Sequence, residues 1–148
     1  MGKVNLERFD QSIQVHLGIL QSIISRMATN SGSCKAYCVT LVSAILVIVA
    51  DKGKPNLALI AGIPILLFLL LDTYYLAQEQ SFRDTYNDFV RKYQADELYI
   101  EDLFSVAPTT WVWSIFLAKL ASFAIWPFYL TLGLMVFLAK TLVIPGGK

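Results

Sequence analysis

The feature that most constrains the fold of this chain is the stretch from Pro55 to about Tyr93, which is apolar at first and charged afterwards. Its first 17 residues, ending at Leu71, carry no charge, and the next 22 carry seven charged side chains. No Gly or Pro follows Pro64 until Pro108. At about 1.5 Å per residue, this pattern predicts one helix that roughly crosses a hydrocarbon core and then projects about 30 Å into water.

The composition agrees with a chain that lies largely in lipid. Hydrophobic residues make up 56% of the 148 residues, the mean hydropathy is +0.57, and the apolar residues lie in blocks. The length corresponds to one domain. The net charge of +1 creates no general field that attracts nucleic acid, so we expect no direct nucleic-acid binding.

These patterns predict an all-α integral membrane protein, with a transmembrane helical hairpin, a third apolar span and a cytoplasmic helical stalk. Residues 1–30 form a cytoplasmic amphipathic helix and residues 34–71 the hairpin. Residues 72–107 form a cytoplasmic helical extension with an acidic segment. Residues 108–148 contain an interfacial segment and the third transmembrane helix. No cleavable signal peptide is predicted, because the first 30 residues lack an uninterrupted apolar core.

Residues 5–28 show the spacing of an amphipathic helix, with apolar side chains at steps of three and four. Three placements are open: flat on the membrane, against the projecting half of the Pro55–Tyr93 helix, or against another subunit. The polar face is rich in glutamine and poor in Lys and Arg, which favours packing against protein. The apolar face consists of Leu6, Phe9, Ile13, Leu17, Leu20, Ile24 and Met27.

The projecting half of the second helix carries its own apolar stripe, which we expect to face residues 5–28 and complete the stalk. That stripe consists of Phe82, Tyr86, Phe89 or Val90, and Tyr93. The small polar residues 29–33 predict a break between the stalk helix and the first span. The first span is centred on Ala36–Ala50, with Lys35 reaching toward the headgroups, and residues 51–55 form the hairpin turn.

The third apolar run extends from Leu103 to Ala139, and Lys119 is its only charge. Trp111 to about Ala121 predicts an interfacial helix, or the first turns of a longer one, and residues 122–144 then form the third span. The alternative is one tilted, proline-kinked helix over the whole run, with Lys119 inside the bilayer.

The distribution of Lys and Arg predicts that the N-terminus and the stalk are cytoplasmic. Seven of these residues lie before the first span or between the second and third, and four lie in the hairpin turn and the tail. The first group is Lys3, Arg8, Arg26, Lys35, Arg83, Arg91 and Lys92; the second is Lys52, Lys54, Lys140 and Lys148.

No enzymatic constellation, metal cluster or cofactor motif is found in the sequence, so we predict neither catalysis nor a cofactor. Cys34 and Cys38 lie four apart on a predicted helix and are interpreted as small apolar residues. The acidic segment is interpreted as a solvated or partner-facing surface rather than a calcium or catalytic site, because no Gly-centred loop or nucleophile accompanies it. Its carboxylates are Asp96, Glu97, Glu101 and Asp102.

Two ionisable residues lie in or near the predicted bilayer, where a charge costs about 3 kcal/mol or more unless it faces protein or water. Asp72 either marks the end of the second span, beside Tyr74 and Tyr75, or lines an oligomeric pore. Lys119 either reaches out from an interfacial helix or lines the same pore. Three thin helices give a monomer little interior for such groups. We therefore predict a homo-oligomer or a complex with a larger cytoplasmic partner.

Two segments resemble small bacterial membrane proteins that carry the pattern LDxYYLxxExxFRxxYN just after a transmembrane hairpin. Residues Leu71–Asn87 match that pattern, and Leu20–Ser31 matches an upstream helix of the type LQxxIxRMAxNS. The layout is similar to that of SLATT-type proteins, which have two spans and are proposed membrane effectors or accessory proteins of antiphage systems, including RADAR. The apolar segment after Pro108 is additional to that layout.

The resemblance implies an effector or accessory subunit in the bacterial inner membrane that permeabilises it on activation. The alternative is a membrane anchor, without conductance, that recruits a cytoplasmic partner enzyme. The resemblance also suggests a network of Arg26 with Glu79, and of Arg83 with a neighbouring carboxylate, that joins the stalk to the hairpin; the alternative is ordinary surface pairs.

Overall fold

The computed structural model describes residues 6–108 and 110–143, and the side chains of residues 10–108 and 110–141 among them. All regular elements in those ranges are helical, and no β-strand occurs there, so the all-α prediction is confirmed. The side chains of Leu6 and Phe9, on the N-terminal apolar face, and of Lys3, Arg8 and Lys148, in the charge count, lie outside the described side chains.

Five α-helices follow one another in the part of the chain that the structure describes. They are α1 (Leu6–Lys52), α2 (Gly62–Gln94), α3 (Ile100–Leu103), α4 (Val112–Leu120) and α5 (Trp126–Leu138). A 3-10 segment, Pro55–Ala61, leads directly into α2, and a π-helical segment, Ala139–Val143, follows α5. The stretches Asp10–Lys52 and Pro55–Gln94 are long and apolar enough to cross a membrane, by length and composition, whereas the apolar helix Trp126–Thr141 is shorter.

Helix α1 is continuous through residues 29–33, so the predicted break is wrong. The small polar side chains there bond within the folded chain: Thr29 Oγ1 donates to the Ser25 carbonyl at 2.9 Å, and Ser31 Oγ donates to Asp72 at 2.5 Å. Because these bonds satisfy the hydroxyls inside a helix, the local preference of Ser and Thr for caps is overridden. The stalk helix and the first apolar helix are therefore one rod of 47 residues.

The turn between α1 and the 3-10 segment lies at the predicted position. Gly53 has a φ of +59°, and its N–H donates to the Ala50 carbonyl at 3.2 Å. A left-handed φ suits Gly because it has no Cβ. Pro55 begins the 3-10 segment, where its fixed φ and missing N–H cost nothing. The predicted antiparallel hairpin and the single long second helix are confirmed.

The two long helices pack along one face of each. The buried residues of α1 recur with helical spacing from Ile13 through Leu20 and Cys38 to Val49. On α2 the buried row has a step of four and consists mainly of small side chains: Thr73, Ala77, Ser81, Thr85 and Phe89. The predicted stalk contact is confirmed for Ile13, Leu17 and Phe89, which pack in one cluster. The predicted stripe on α2 is otherwise wrong, because Phe82 and Tyr86 are only half-buried and Tyr93 is exposed.

Two apolar clusters hold the bundle together. The larger one joins the apolar half of the hairpin to α5, and the smaller one joins α1 and α2 to the acidic segment. The larger contains Cys38, Val42, Val49, Ala58, Ala61, Ile125, Tyr129, Leu132 and Val136. The smaller contains Ile13, Phe89, Leu98 and Leu103, with Leu17 packed against it.

The apolar run after Pro108 is divided into two helices, which excludes the single kinked helix. Helix α4 has nine residues and packs on α2, and turns over residues 121–125 separate it from α5. A helix of nine residues is only about 13 Å long, so α4 is too short to cross a bilayer. The predicted start of the last helix at residue 122 is also wrong, since α5 begins at Trp126 with Pro127 in its first turn.

The continuity of α1 predicts opposite effects for two glycine substitutions. A Cβ at Gly32 would meet no atom within 4 Å, and Gly in a helix interior costs about 0.5–1 kcal/mol relative to Ala. We expect Gly32→Ala to stabilise the chain by that amount. A Cβ at Gly53 would also meet no atom within 4 Å, but Gly53 has a left-handed φ. We therefore expect Gly53→Ala to lower the stability of the chain by about 1–2 kcal/mol. Thermal unfolding in one detergent, followed by circular dichroism, measures both; a loss of stability in Gly32→Ala would contradict a continuous α1.

Candidate functional site

A closed group of polar side chains lies where α1, α2 and α5 meet. It consists of Ser31 and Lys35 on α1, Asp72 on α2 and Tyr129 on α5, and we refer to it as the Asp72 cluster. Ser31 and Lys35 are four apart and therefore share one face of α1. The Asp72 side chain is fully buried, whereas the Lys35 side chain is 27% exposed.

Three donors converge on the Asp72 carboxylate. Lys35 Nζ lies 2.6 Å from Oδ2, and Ser31 Oγ donates to Oδ1 at 2.5 Å. The Tyr129 hydroxyl lies 3.3 Å from Oδ2 and 3.0 Å from the Phe68 carbonyl oxygen. Lys35 Nζ also donates to Ser31 Oγ at 3.3 Å. A fully buried carboxylate is tolerated when a counter-ion and hydrogen bonds satisfy it, and here both are supplied by the same chain.

The second predicted ionisable residue, Lys119, lies elsewhere. Lys119 Nζ donates to Gln80 Oε1 at 3.2 Å, and Gln80 Nε2 donates to Asp84 at 2.8 Å. Gln80 is eight residues beyond Asp72, or about 12 Å along α2. The structure therefore does not bring Lys119 to the carboxylate of Asp72. Helix α4 instead holds Lys119 beside the stalk, while the Trp113 and Leu117 side chains of the same helix are exposed.

The segments Leu20–Ser31 and Leu71–Asn87 both contribute to one groove between α1 and α2, with a volume of about 500 Å³. We refer to it as the stalk groove. It is lined by Gln21, Ile24, Ser25 and Ala28 from the upstream helix and by Gln80, Arg83, Tyr86 and Asn87 from α2. Residues of both segments therefore line the stalk groove. Asp72, which belongs to the second segment, lies in the buried Asp72 cluster instead.

The predicted network between Arg26 and Glu79 is not formed. Arg83 Nε lies 2.8 Å from Glu79 Oε1, one turn away on the same helix. Arg26 is exposed, and no ion pair joins it to Glu79 among the described side chains. The Arg83–Glu79 pair is an ordinary surface pair, since the Arg83 side chain is 54% exposed. The stalk and the hairpin are joined by the Asp72 cluster instead.

The residues of the predicted acidic surface differ in role, since some of them stabilise the local fold and others are only exposed to solvent. Asp96 has a φ of +55° and ends α2: its N–H donates to the Tyr93 carbonyl, and the Glu97 N–H donates to the Lys92 carbonyl. This is a Schellman ending with Asp in the left-handed position. Asp102 accepts from the Tyr99 N–H at 3.0 Å and pairs with Lys92 at 2.9 Å. Glu97 and Glu101 are exposed.

The end of the acidic segment is attached to the stalk by a buried histidine. His16 Nδ1 lies 3.1 Å from the Leu103 carbonyl oxygen, and its ring stacks on Phe89 with 4.4 Å between the centroids. Burial lowers the pKa of His16, while the Leu103 carbonyl and Asp102 act in the opposite direction. The neutral imidazole therefore donates its Nδ1 proton to the carbonyl at neutral pH. Burial acts to raise the pKa of Asp102, but hydrogen bonds from Lys92 and the Tyr99 N–H hold it below its usual value.

Four residues of these contacts were not predicted from the sequence. The sequence predicts a break at Ser31 and a headgroup position for Lys35, and it predicts no contact for His16 or Tyr129. The contact of Lys35 with Asp72 can be predicted from the sequence, because the two residues are equally far from the hairpin turn. Equal distances along two antiparallel helices place them side by side. The donors Ser31 and Tyr129 give no such signal, because isolated hydroxyls occur throughout apolar helices.

Comparison of the chain with models of protein families, with curated proteins and with solved structures finds no match to any of them.

The Asp72 cluster predicts that the Lys35–Asp72 pair and the Arg83–Glu79 pair differ strongly in their contribution to stability. Lys35→Met leaves a buried carboxylate without its counter-ion and is expected to lower the free energy of unfolding by about 3 kcal/mol or more. Arg83→Met, at an exposed pair, should change it by about 0.5 kcal/mol or less. The double variant Lys35→Met/Asp72→Leu should recover much of the loss.

Chemical unfolding of the three variants in one detergent measures these differences. Equal effects of Lys35→Met and Arg83→Met would show that Asp72 is hydrated in the folded chain and that the cluster is not closed.

Proposed function

We propose that this chain is an integral protein of the bacterial inner membrane that anchors a larger cytoplasmic partner of an antiphage defence system. Its apolar hairpin and α5 lie in the bilayer, and the stalk formed by residues 6–30 and 73–94 projects into the cytoplasm. Helix α4 lies at the membrane interface. The antiphage role rests on the resemblance of Leu20–Ser31 and Leu71–Asn87 to the SLATT-type proteins.

The observation that carries the anchor function is the closed Asp72 cluster. A pore lined by Asp72 would need its carboxylate to face water, but Lys35, Ser31 and Tyr129 satisfy it inside one chain. Lys119 likewise has a partner in the stalk. The membrane part therefore needs no aqueous path to accommodate its charges, and the surfaces open to a partner lie on the stalk.

The distribution of exposed apolar side chains supports this membrane placement. They are dense on α1 from Tyr37 to Ile48 and on the 3-10 segment and α2 from Leu59 to Leu71. The Lys35–Asp72 pair marks one end of this zone and the turn at Gly53 the other. From Lys35 to Lys52 the helix is about 26 Å long, close to the thickness of a hydrocarbon core. Exposed Trp111 and Trp113 suit the interface beside it.

A second candidate, the membrane-permeabilising effector, is favoured by one observation. The Lys35–Asp72 pair lies in an apolar bundle, where replacing a buried pair by apolar residues is often stabilising, so the presence of such a pair suits a change of state. In this candidate, several copies surround an aqueous path after activation separates the pair. The two candidates differ in whether the membrane becomes permeable during infection.

The membrane placement predicts opposite labelling of two introduced cysteines in a chain with Cys34→Ala and Cys38→Ala. In spheroplasts, an impermeant maleimide should label Asn56→Cys, beside the hairpin turn, and leave Glu97→Cys unlabelled until the membrane is opened. Both positions are exposed in the folded chain, so access depends on the membrane alone. Labelling of Glu97→Cys in intact spheroplasts would reverse the proposed orientation, and equal labelling of both would contradict a membrane span.

The anchor function predicts that a cytoplasmic protein encoded beside this chain sediments with membranes only when the chain is present. Lys119→Leu should leave both the sedimentation and the phage protection unchanged, because Lys119 bonds to Gln80 within the same chain. Lys140→Leu, just beyond the far end of that apolar run, is the matched control. Immunoblots of membrane pellets, plating efficiency and a membrane-potential dye measure the outcome.

The conducting candidate gives the opposite result in the same cells. If Lys119→Leu abolishes depolarisation and protection together while the chain remains inserted, the anchor function is wrong and the permeabilising effector replaces it.

A further inference from the structure

An apolar cleft lies at the far end of the stalk, away from the hairpin. It has a volume of about 350 Å³ and lies between α1 and the end of the acidic segment. Its apolar side chains are Val15, Ile19 and Phe104, which are 55%, 45% and 79% exposed, above the buried Leu103. The polar side chains Gln11, Ser12 and His16 complete the lining. We refer to this site as the tip cleft.

Lipid does not cover the tip cleft in the proposed membrane placement. Val15 lies 20 residues before Lys35 on a continuous helix, which is about 30 Å along its axis. Between them, α1 exposes polar side chains such as Gln21, Ser25 and Arg26. The exposed apolar side chains of the tip cleft are thus separated from the apolar zone by a polar stretch, and a second occupant is needed to cover them.

The charges around the tip cleft select the chemistry of that occupant. Glu101 is exposed one turn before Phe104. Among the described side chains that line the cleft there is no lysine or arginine, and the nearby Lys92 is paired with Asp102 and Asp88. An exposed carboxylate beside an apolar cleft complements apolar side chains that are flanked by Lys and Arg.

We propose that the tip cleft binds a basic amphipathic helix of the cytoplasmic partner, with its apolar side chains against Phe104, Val15 and Ile19. This proposal rests on the anchor function and names the surface that performs it. Lysines or arginines at the flank of the bound helix face Glu101. The binding mode is that of an amphipathic helix in a groove, with side chains at steps of three and four in the cleft.

The floor of the tip cleft is fixed before a partner arrives. The Leu103 carbonyl accepts from buried His16, and the adjacent Asp102 is held by Lys92. Leu103 also packs with Ile13, Leu98 and Phe89 in the smaller apolar cluster. A preformed floor reduces the entropy that binding must overcome, so the exposed Phe104 ring can act as an anchoring side chain.

A synthetic peptide of about 16 residues tests the proposal, with Leu at helical steps of three and four and Lys on both flanks. Fluorescence anisotropy measures its binding to the full chain in phosphatidylcholine nanodiscs, with empty nanodiscs as the baseline. We expect Phe104→Ser and Glu101→Lys each to weaken binding at least tenfold. Phe123→Ser is the matched control, because Phe123 is 87% exposed in the turn between α4 and α5, and it should bind like the unmodified chain.

Several outcomes would overturn the proposal. The first is equal binding of the peptide by the unmodified chain and by Phe104→Ser. The second is that a peptide with Glu in place of Lys binds as tightly as the lysine peptide. The third is association of the chain with itself that Phe104→Ser abolishes, which would make a second copy the occupant. Circular dichroism of Phe104→Ser, whose side chain is exposed, checks that the fold is unchanged.

The anchor function is tested separately in cells. If Phe104→Ser leaves the neighbouring protein on the membrane, the tip cleft is not its docking site, although the anchor function stands. If that protein is soluble even with the unmodified chain, the anchor function itself fails.

Discussion

The buried ion pair between Lys35 and Asp72 sets the register of the whole structure. A carboxylate without access to solvent must keep its counter-ion and its hydrogen bonds, since losing a partner costs several kcal/mol. Because Lys35 is on α1 and the third donor, Tyr129, is on α5, the pair fixes the level at which all three helices meet. The apolar contacts on either side allow many small shifts along the helix axes, but the pair does not.

Small side chains along α2 make that register compatible with close packing. Thr73, Ala77 and Ser81 are fully buried, so α2 can approach both α1 and the segment before α4. Their hydroxyl groups do not remain unsatisfied, since Thr73 bonds to the Leu69 carbonyl and Ser81 to the Thr110 carbonyl. Residues of this type remove bulk from the centre of the bundle and add hydrogen bonds that hold the returning chain against the stalk.

Much of the helical architecture could be predicted from the sequence, because it depends on composition along the chain. The uncharged run before Asp72 and the absence of Gly and Pro between Pro64 and Pro108 are local properties, and they predict the hairpin and the long second helix. The predicted break at residues 29–33 is wrong because the role of a serine depends on its partner. Ser31 next to water would cap a helix, whereas Ser31 next to Asp72 is satisfied within one. The predicted network of Arg26 with Glu79 is absent for a similar reason, because Glu79 pairs with Arg83 on its own helix.

The same continuity of α1 connects the tip cleft with the ion pair. Val15 and Ile19 line the cleft, and Lys35 lies on the same rod with no break between them. A helix is stiff over about 30 Å, so a force on the tip cannot be absorbed by a hinge at residues 29–33. Any movement of α1 at the tip must instead slide along the small side chains of α2 or act on the contact of Lys35 with Asp72. That contact joins groups of opposite charge at 2.6 Å and resists separation most strongly. An anchor needs this stiffness, because a load on the tip then reaches the hairpin. A conducting effector would need the same rod to transmit the partner's movement to the buried Lys35–Asp72 pair, whose separation exposes charge.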